Sequence, residues 1–222
     1  MKLAALISGG KDSSFAIYRA IQEGHTVTDH ITIVPENEDS FMFHSANIHL
    51  THLISEACGI PLTSVSSSGE KEKELEDLKE ALSRVKVDGV AVGAIASQYQ
   101  ASRVQRICDD LGLTMYAPLW HNEPEALLRE MIQLMDIRMV KVAAGGMDES
   151  WLGRKFDDRL ISDLMELNSK YRVHIAGEGG EYETLVLDAP YYRKRIKLLE
   201  TEVVWMRDRG VMKVIRAELA DK

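Results

Sequence analysis

The sequence predicts an α/β protein with a five-stranded, parallel, doubly wound sheet and a smaller C-terminal α+β unit. Over residues 1–121, short apolar runs rich in β-forming residues alternate with stretches of helical spacing. Such alternation is typical of a parallel sheet with helices on both faces. From residue 122 the pattern changes to helices and several strand-like runs, which indicates a second unit over 122–222. Because no linker rich in Gly, Ser or Pro separates the units, we expect one rigid body with the functional site in the cleft.

The order of the elements follows from the apolar spacing and from the residues that interrupt it. In the first unit we expect strands at 3–7, 26–34, 62–65, 88–93 and 113–116. Helices are expected at 11–23, up to about residue 58, at 70–85 and within 94–108, where Ser97 or Ser102 would cap the helix. Loops are expected at 35–40 and 66–69. In the second unit we expect helices at 124–135 and 157–171 and strands at 137–144, 185–187, 196–205 and 211–219.

The run Ser8-Gly-Gly-Lys-Asp-Ser13 joins the first expected strand to the first expected helix. Two glycines at a helix N-terminus allow close backbone approach, and the unpaired amides and the helix dipole there favour an anion. Ser8, Ser13 and Ser14 can add hydroxyl donors, and Lys11 can add a point charge. The run is not the Walker pattern, and it lacks the third glycine of a dinucleotide fingerprint. The alternative is an ordinary Gly-Gly turn.

Two further features point to the same edge of the sheet. Ligands of doubly wound folds lie beyond the carboxyl ends of the strands, which places Ile33 and Val34 near the base of a bound nucleotide. Arg103 and Arg106 stand three residues apart on one helix face, and two guanidinium groups there would suit phosphate charge. The alternative for the two arginines is a surface pair.

A second unusual run is Gly177-Glu-Gly-Gly-Glu-Tyr-Glu-Thr184. Its three glutamates, Glu178, Glu181 and Glu183, would repel one another unless a positive group lies among them. Mg²⁺, a substrate ammonium group or a bound ammonium ion would each supply that charge. The glycines allow close approach to a ligand. The alternative is a solvent-exposed acidic turn.

The run 8–13 resembles the pyrophosphate loop of the PP-loop ATP pyrophosphatases, which cut ATP to AMP and pyrophosphate. Together with the segment 93–106 and its two arginines, residues 118–120 and the run 177–184, it resembles the diphthine–ammonia ligase family over nearly the whole chain. The resemblance implies a Rossmann-like PP-loop fold and an ATP-dependent amide ligase. Such a ligase converts diphthine on translation elongation factor 2 to diphthamide with ammonium, through an acyl-adenylate, and releases AMP and pyrophosphate.

The resemblance also implies the residues of the site. With Ile33 added from the sheet geometry, the ATP-binding residues would be Ser8, Gly9, Gly10, Lys11, Asp12, Ser13, Gly93, Ser97, Tyr99, Arg103 and Arg106. The ammonium or diphthine side would comprise Trp120, Glu178, Gly179, Gly180, Glu181, Tyr182, Glu183 and Thr184. The loop with Lys11 would stabilise the leaving pyrophosphate, and Mg²⁺ would share that charge. Asp12 would contact the metal, directly or through water, or would instead cap its own helix.

The chemistry of amide formation indicates what the ammonium or diphthine side of the site must do. A carboxylate does not react usefully with ammonia because its leaving group is poor, so attack on the α-phosphate must first make an acyl-adenylate. Ammonium predominates near neutral pH, so a carboxylate must bind it and take a proton, and Glu181 and Glu183 are the candidates by spacing. Free ammonium is favoured over glutamine as the source, because residue 2 is Lys and neither Cys58 nor Cys108 lies in a recognisable glutaminase context.

The composition argues against a membrane protein, a nucleic-acid-binding protein and a secreted protein. The chain has 45% hydrophobic and 28% charged residues, and no apolar run approaches the ~20 residues of a membrane span. A net charge of −8 argues against nucleic acid as the main partner. The N-terminus leaves no room for a signal peptide, and the two cysteines form no CxxC or metal spacing, which indicates a reducing cytoplasm. His44, His49 and His52 have no acidic or thiol partner nearby, so no metal is assigned to them.

Two alternative functions stay open at this point. A tRNA-modifying PP-loop enzyme would need paired cysteines, a metal cluster or a basic appendage, and none is evident in the sequence. A non-catalytic ATP-sensing module would make the acidic glycine run merely structural, and release of pyrophosphate would distinguish it from a ligase. The β-rich tail at 195–219 is either an oligomer edge, which would give a homodimer, or the sheet of the second unit.

Overall fold

In the computed structural model, which describes residues 1–35, 46–68 and 71–222, the first half of the chain forms a five-stranded sheet. Its strands are β1 (Lys2–Leu6), β2 (Thr26–Pro35), β3 (Leu62–Ser67), β4 (Gly89–Ala91) and β5 (Thr114–Tyr116). They lie in the order β3-β2-β1-β4-β5, and every neighbouring pair is parallel. The predicted five-stranded parallel sheet is confirmed. Its topology reverses beside β1, where ligands of such sheets bind in the crevice at the carboxyl edge.

Helices cover both faces of this sheet. They are α1 (Lys11–Gln22), α2 (Thr51–Cys58), α3 (Lys71–Ser83) and α4 (Gln98–Leu111). Alternate side chains of β1 pack on opposite faces of the sheet. Ala4 belongs to an apolar cluster with Leu78 of α3 and residues of α4. Leu3 and Ala5 belong instead to a cluster with Ile17 of α1. The predicted doubly wound arrangement is therefore confirmed.

The ends of some elements differ from the prediction. Strand β3 runs on to Ser67 because β2 continues beside it and pairs Pro35 with Ser67, so the loop expected at 66–69 begins later. A 3-10 turn at Ile48–Leu50 precedes α2. Ser97 is the residue that caps α4, since its Oγ accepts from the backbone N–H three residues on, at 3.4 Å. Residues 36–45 and 69–70, which include most of the other expected loop, lie outside the described residues.

The second half forms a four-stranded antiparallel sheet with two helices. Its elements are α5 (Pro124–Leu134), β6 (Asp136–Val142), α6 (Asp158–Tyr171), β7 (Tyr182–Asp188), β8 (Arg195–Met206) and β9 (Arg209–Ala220), and the strand order is β7-β6-β9-β8. The tail strands β8 and β9 therefore belong to this sheet, with β8 at its edge. Strand β7 begins three residues before the predicted start at 185, because Tyr182 and Glu183 pair with Val142 and Lys141 of β6. The end of the acidic run thus lies on a strand.

One apolar cluster joins the two halves. It combines Phe15 of α1 with Ile137 of β6 and Leu185 of β7, among many others. A backbone hydrogen bond crosses at the same place, where the N–H of Val186 donates to the carbonyl oxygen of Gly9 at 2.9 Å. The glycine turn that follows β1 is therefore seated directly against β7.

Candidate active site

A cleft of about 380 Å³ is lined from both halves of the chain. Most of the residues predicted for the site line it: Ser8, Gly10, Lys11, Asp12, Ser13, Ile33, Gly93, Ser97, Glu178, Gly179, Gly180, Tyr182, Glu183 and Thr184. The two unusual runs of the sequence therefore meet at one space. They also touch, because the Oγ1 of Thr184 accepts a hydrogen bond from the backbone N–H of Lys11 at 3.0 Å.

Six of the predicted residues are not part of this lining: Gly9, Tyr99, Arg103, Arg106, Trp120 and Glu181. The guanidinium carbon of Arg103 lies 3.6 Å from the ring centre of Tyr99, and Arg103 donates to the Tyr99 carbonyl oxygen at 3.3 Å. Arg106 is exposed, and Trp120 stacks on His121 with ring centres 4.8 Å apart. Helix α4 thus uses Arg103 within itself, and the structure does not bring either arginine to the cleft wall.

The turn at 8–13 is held by two close contacts between backbone segments, and each contact involves a glycine. Gly9 has a φ of +83°, in the left-handed region that favours glycine, and its carbonyl oxygen accepts from Val186. A Cβ on Gly93 would lie 2.6 Å from the carbonyl carbon of Asp12 and 2.6 Å from the nitrogen of Ser13. Only glycine therefore lets the segment after β4 approach the first turn of α1 this closely. The two contacts fix the N-terminus of α1 at the cleft.

Lys11 ties the two halves together. Its side chain is 3% exposed, and its Nζ donates to the carbonyl oxygen of Ala176 at 2.6 Å and to Oδ2 of Asp12 at 2.9 Å. The same Nζ lies 5.2 Å from the ring centre of Tyr182, within cation–π range. The other carboxylate oxygen of Asp12, Oδ1, is buried and has no hydrogen-bond partner among the described residues.

Each glutamate of the acidic run has a positive partner within the protein. Oε2 of Glu178 accepts from the backbone amides of Ala96 and Ser97 at 2.9 and 2.8 Å, so Glu178 caps the start of α4 from the other half of the chain. Both oxygens of Glu181 accept from backbone amides of its own loop region, at 2.9 and 2.7 Å. The positive partners that the sequence analysis expected among the three glutamates therefore include donors of the protein itself. Backbone amides donate to all three glutamates, since Oε2 of Glu183 accepts from the N–H of Ala46 at 3.4 Å.

Glu183 is paired with a lysine that the sequence analysis missed. Its Oε1 lies 2.6 Å from the Nζ of Lys141, its cross-strand neighbour on β6. The Glu183 side chain is 9% exposed and that of Lys141 is 29% exposed, and both residues line the cleft. The signal that could have found Lys141 is a lone lysine within the apolar strand expected at 137–144.

The remaining wall of the cleft is largely apolar. Beside the predicted Ile33, it is formed by Leu6, Ile7, Ile31, Val92, Ala94, Ala101 and Val104. These residues lie near the carboxyl ends of β1, β2 and β4 and on the first turns of α4. An apolar wall beside a polar turn suits a ligand with one flat apolar part and one charged part. The ends of the strands are the signal that could have found these residues, but the sequence analysis named Ile33 and Val34 alone, and Val34 is not part of the lining.

Tyr182 is a structural member of the site. Its hydroxyl donates to the carbonyl oxygen of Ile175 at 2.6 Å. Burial is the largest cause that raises the pKa of Tyr182 well above its ordinary value, and the negative charges of Asp12, Glu181 and Glu178 raise it further. The phenol therefore stays neutral near pH 7 and holds the turn before the acidic run rather than carrying protons.

Of the three histidines to which no metal was assigned, the two that the structure describes form hydrogen bonds with backbone carbonyl groups. The Nε2 of His49 lies 3.1 Å from the carbonyl oxygen of Val214. The Nδ1 of His52 is hydrogen-bonded to the carbonyl oxygen of His49. His44 lies outside the described residues. Within the part of the chain that the structure describes, no three His, Cys, Asp or Glu side chains are grouped so that they could hold a metal ion by themselves.

Comparison with known proteins assigns the chain to a family. Residues 1–115 match the model of the diphthamide synthase N-terminal domain, and residues 123–220 match that of the diphthamide synthase C-terminal domain. The chain belongs to the diphthamide synthase family. Curated relatives are named diphthine–ammonia ligase: the rat protein is 39% identical and the human protein 40% identical, each over 92% of this chain and 85% of its own length. The resemblance seen in the sequence is thus confirmed.

Two further comparisons, with a longer relative and with a solved structure, add less about this member of the diphthamide synthase family. A diphthine–ammonia ligase of Schizosaccharomyces pombe is 37% identical over 92% of this chain, which spans 37% of that longer protein. A solved structure from Methanocaldococcus jannaschii, titled as a predicted subunit of tRNA methyltransferase, has a TM-score of 0.45 and 14% identity. It covers 86% of this chain and 98% of that one, and a likeness this weak says nothing about function.

Proposed function

We propose that this protein is an ATP-dependent ligase that amidates diphthine on translation elongation factor 2 with ammonium, releasing AMP and pyrophosphate. The observation that carries the proposal is the shared cleft, which the turn 8–13 and the run 177–184 line from opposite halves of the chain. The relatives' name, diphthine–ammonia ligase, supports the same reaction. A tRNA-modifying enzyme and an ATP sensor without turnover are not favoured.

ATP fits the cleft with its phosphates at the turn and its adenine against the apolar wall. The positive end of the α1 dipole and the hydroxyl groups of Ser8 and Ser13 favour phosphate charge at the turn. Lys11 adds a positive charge at the same helix end. These groups are in place before the reaction, so they can stabilise the negative charge that grows on the leaving pyrophosphate.

The reaction then has two displacements. A carboxylate oxygen of diphthine attacks the α-phosphorus, the bond from that phosphorus to the bridging oxygen breaks, and pyrophosphate leaves. Ammonia next attacks the acyl carbon, the bond to the AMP oxygen breaks, and AMP leaves with the electron pair. One proton of the incoming nitrogen must pass to a base, because ammonia becomes an amide.

Mg²⁺ fits beside Asp12. The Oδ1 of Asp12 is buried without a hydrogen-bond partner among the described residues, and Asp12 lines the cleft. Mg²⁺ in nucleotide sites is commonly held by one or two carboxylates together with substrate phosphates. When bound, the metal supplies positive charge to the phosphates. Lys11 orients Asp12 by donating to its other oxygen.

Glu183 is our proposed ammonium ligand and base. Glu183 lines the cleft, where its Oε1 pairs with Lys141 and its Oε2 accepts from the backbone N–H of Ala46 at 3.4 Å, whereas Glu181 is absent from the lining. Free ammonium is the proposed nitrogen source, because a glutaminase needs a reactive thiol. Burial raises the pKa of Cys58 to about 12 and that of Cys108 to about 11, so neither thiol suits that role.

The proposal extends to organisation and location. Residues 1–121 would bind ATP and residues 122–222 would supply the substrate side. Elongation factor 2 works in translation, so the cytoplasm is the proposed location. Where the structure describes the chain, no helix is long and apolar enough to cross a bilayer. A homodimer through the exposed edge of β8 stays a prediction.

The test is the release of AMP and pyrophosphate from ATP and Mg²⁺, with and without ammonium and with and without diphthine-bearing elongation factor 2. The proposal expects turnover only when both are present. Glu183→Gln should lower kcat by about 100-fold, as removal of a proton acceptor does. Tight ATP binding with no turnover under the complete conditions would contradict the proposed function.

A further inference from the structure

We propose that Lys141 is a catalytic residue that binds the carboxylate of the substrate and holds it for attack on the α-phosphorus of ATP. The inference rests on the proposed ligase function and adds one residue to that same site. It follows from the placement of positive charge in the cleft, from what the adenylation step needs, and from the register of two strands.

Positive side chains are scarce around the cleft. Among the described residues that line it, two are basic, Lys11 and Lys141. The side chain of Lys11 is 3% exposed, and its ammonium group is held by Ala176 and Asp12. Lys141 is 29% exposed and paired on one side with Glu183. Lys141 is therefore the more accessible positive charge for an anion that enters the cleft.

Adenylation needs a positive charge between its two reactants. The carboxylate that attacks and the triphosphate that is attacked are both anions, and their repulsion grows where water is excluded. A lysine ammonium is a compact charge with three donors, so it can contact a carboxylate oxygen and a phosphate oxygen at once. In this role Lys141 supplies charge and hydrogen-bond donors while the bond from the carboxylate oxygen to phosphorus forms and the bond to pyrophosphate breaks.

The register of β6 on β7 places Lys141 close to the turn at 8–13. Lys141 of β6 lies opposite Glu183 of β7, and the next residue of β7, Thr184, accepts from the backbone N–H of Lys11 at 3.0 Å. Lys141 thus lies one strand away from a residue that touches the turn. In the protein without substrate, Glu183 holds the ammonium group in place. When the substrate carboxylate replaces Glu183 as the partner of Lys141, Glu183 becomes available to ammonium, so the two steps of the reaction occur in order.

Three variants test this role. Lys141→Gln removes the charge but keeps a hydrogen-bond donor for Glu183, and Lys141→Arg keeps the charge. Lys197→Met is the matched control, because Lys197 forms a cross-strand ion pair with Glu218 at 3.4 Å in the same sheet but outside this cleft. Thermal unfolding and ATP binding by calorimetry are measured for each variant.

The decisive assay is exchange of labelled pyrophosphate into ATP, with Mg²⁺ and diphthine-bearing elongation factor 2 but without ammonium. This exchange reports adenylation alone. Lys141→Gln should lower the exchange rate by about 100-fold, since loss of one preorganised charge contact typically costs that much. Lys141→Arg should recover about tenfold of that loss, and Lys197→Met should stay within about twofold of the wild type. ATP affinity should not change, and the KM for ammonium in the complete reaction should not rise, because Glu183 loses its ion pair with Lys141 and stays available to ammonium.

Normal exchange in Lys141→Gln together with a raised KM for ammonium would overturn the inference, because Lys141 would then serve Glu183 rather than the carboxylate. If Lys141→Gln does not fold, the double variant Lys141→Met/Glu183→Gln removes both charges of the pair. Its exchange should still be about 100-fold low, since adenylation precedes the entry of ammonia. If the wild type shows neither exchange nor AMP release, it is the proposed ligase function that fails, and the inference falls with it.

Discussion

Gly93→Ala should destabilise the protein and distort the turn at 8–13, where we propose that the ATP phosphates bind. The new Cβ would lie 2.6 Å from the carbonyl carbon of Asp12 and 2.6 Å from the nitrogen of Ser13, and both are backbone atoms that cannot rotate away. The φ of Gly93 is not among the positive values, so the effect is steric and not conformational. Overpacking of this kind costs about 1–3 kcal/mol, which for a chain of this size lowers Tm by about 2–12 °C.

The matched control for this prediction is Gly145→Ala. Gly145 also has no positive φ, and a Cβ there would meet only a ring carbon of Tyr171 at 3.9 Å, an ordinary contact. Its Tm should stay the same or rise by up to about 4 °C. ATP affinity, measured by calorimetry, should fall at least about tenfold in Gly93→Ala and not in the control, because displacement of α1 spoils the anion site. Equal Tm and equal ATP affinity for Gly93→Ala and the wild type would refute the reasoning.

Three further outcomes are expected. Burial lowers the pKa of His30 from 6.5 to about 4, so as pH falls the unfolded chain binds the proton first. The free energy of unfolding should therefore drop by up to about 3 kcal/mol between pH 6.5 and 4, and urea titrations should show a weaker drop for His30→Gln. Burial raises the pKa of both Cys58 and Cys108, so iodoacetamide at pH 7.5 should label neither until the protein is unfolded, as mass spectrometry would show. Glu181→Ala should lower Tm, because two backbone amides lose their acceptor at about 1 kcal/mol each, while the KM for ammonium should rise less than in Glu183→Gln.

The sequence could predict what depends on periodicity and on local backbone chemistry. The alternation of strands and helices was enough for the five-stranded parallel sheet, and the Gly9-Gly10 pair was enough for a turn at the start of a helix. Both features are local, so a window of a few residues contains the physical cause. The meeting of the turn 8–13 with the run 177–184 depended on the resemblance to a family and on the rule for strand ends.

Contacts between distant residues could not be predicted in the same way. A carboxylate that accepts from backbone amides, as Glu178 does from Ala96 and Ser97, has no signature in the sequence, because every residue except proline has such an amide. The pairing of Lys141 with Glu183 follows from the register of β6 on β7, which becomes definite only when the sheet forms. For the same reason the spacing of the three glutamates called for positive partners but could not identify the backbone amides and the lysine that the fold supplies.

The hydrogen bonds from β7 to the glycine turn have a consequence during synthesis. Thr184, the residue that accepts from the N–H of Lys11, is translated 173 residues later in the chain. At 5–20 residues per second, that delay is roughly 9–35 s. Through that interval the nascent parallel sheet lacks the strand that supports its turn and the apolar surface that covers Phe15. Until β7 emerges, the newly made chain therefore lacks one wall of the cleft and presents an apolar face that a chaperone would recognise.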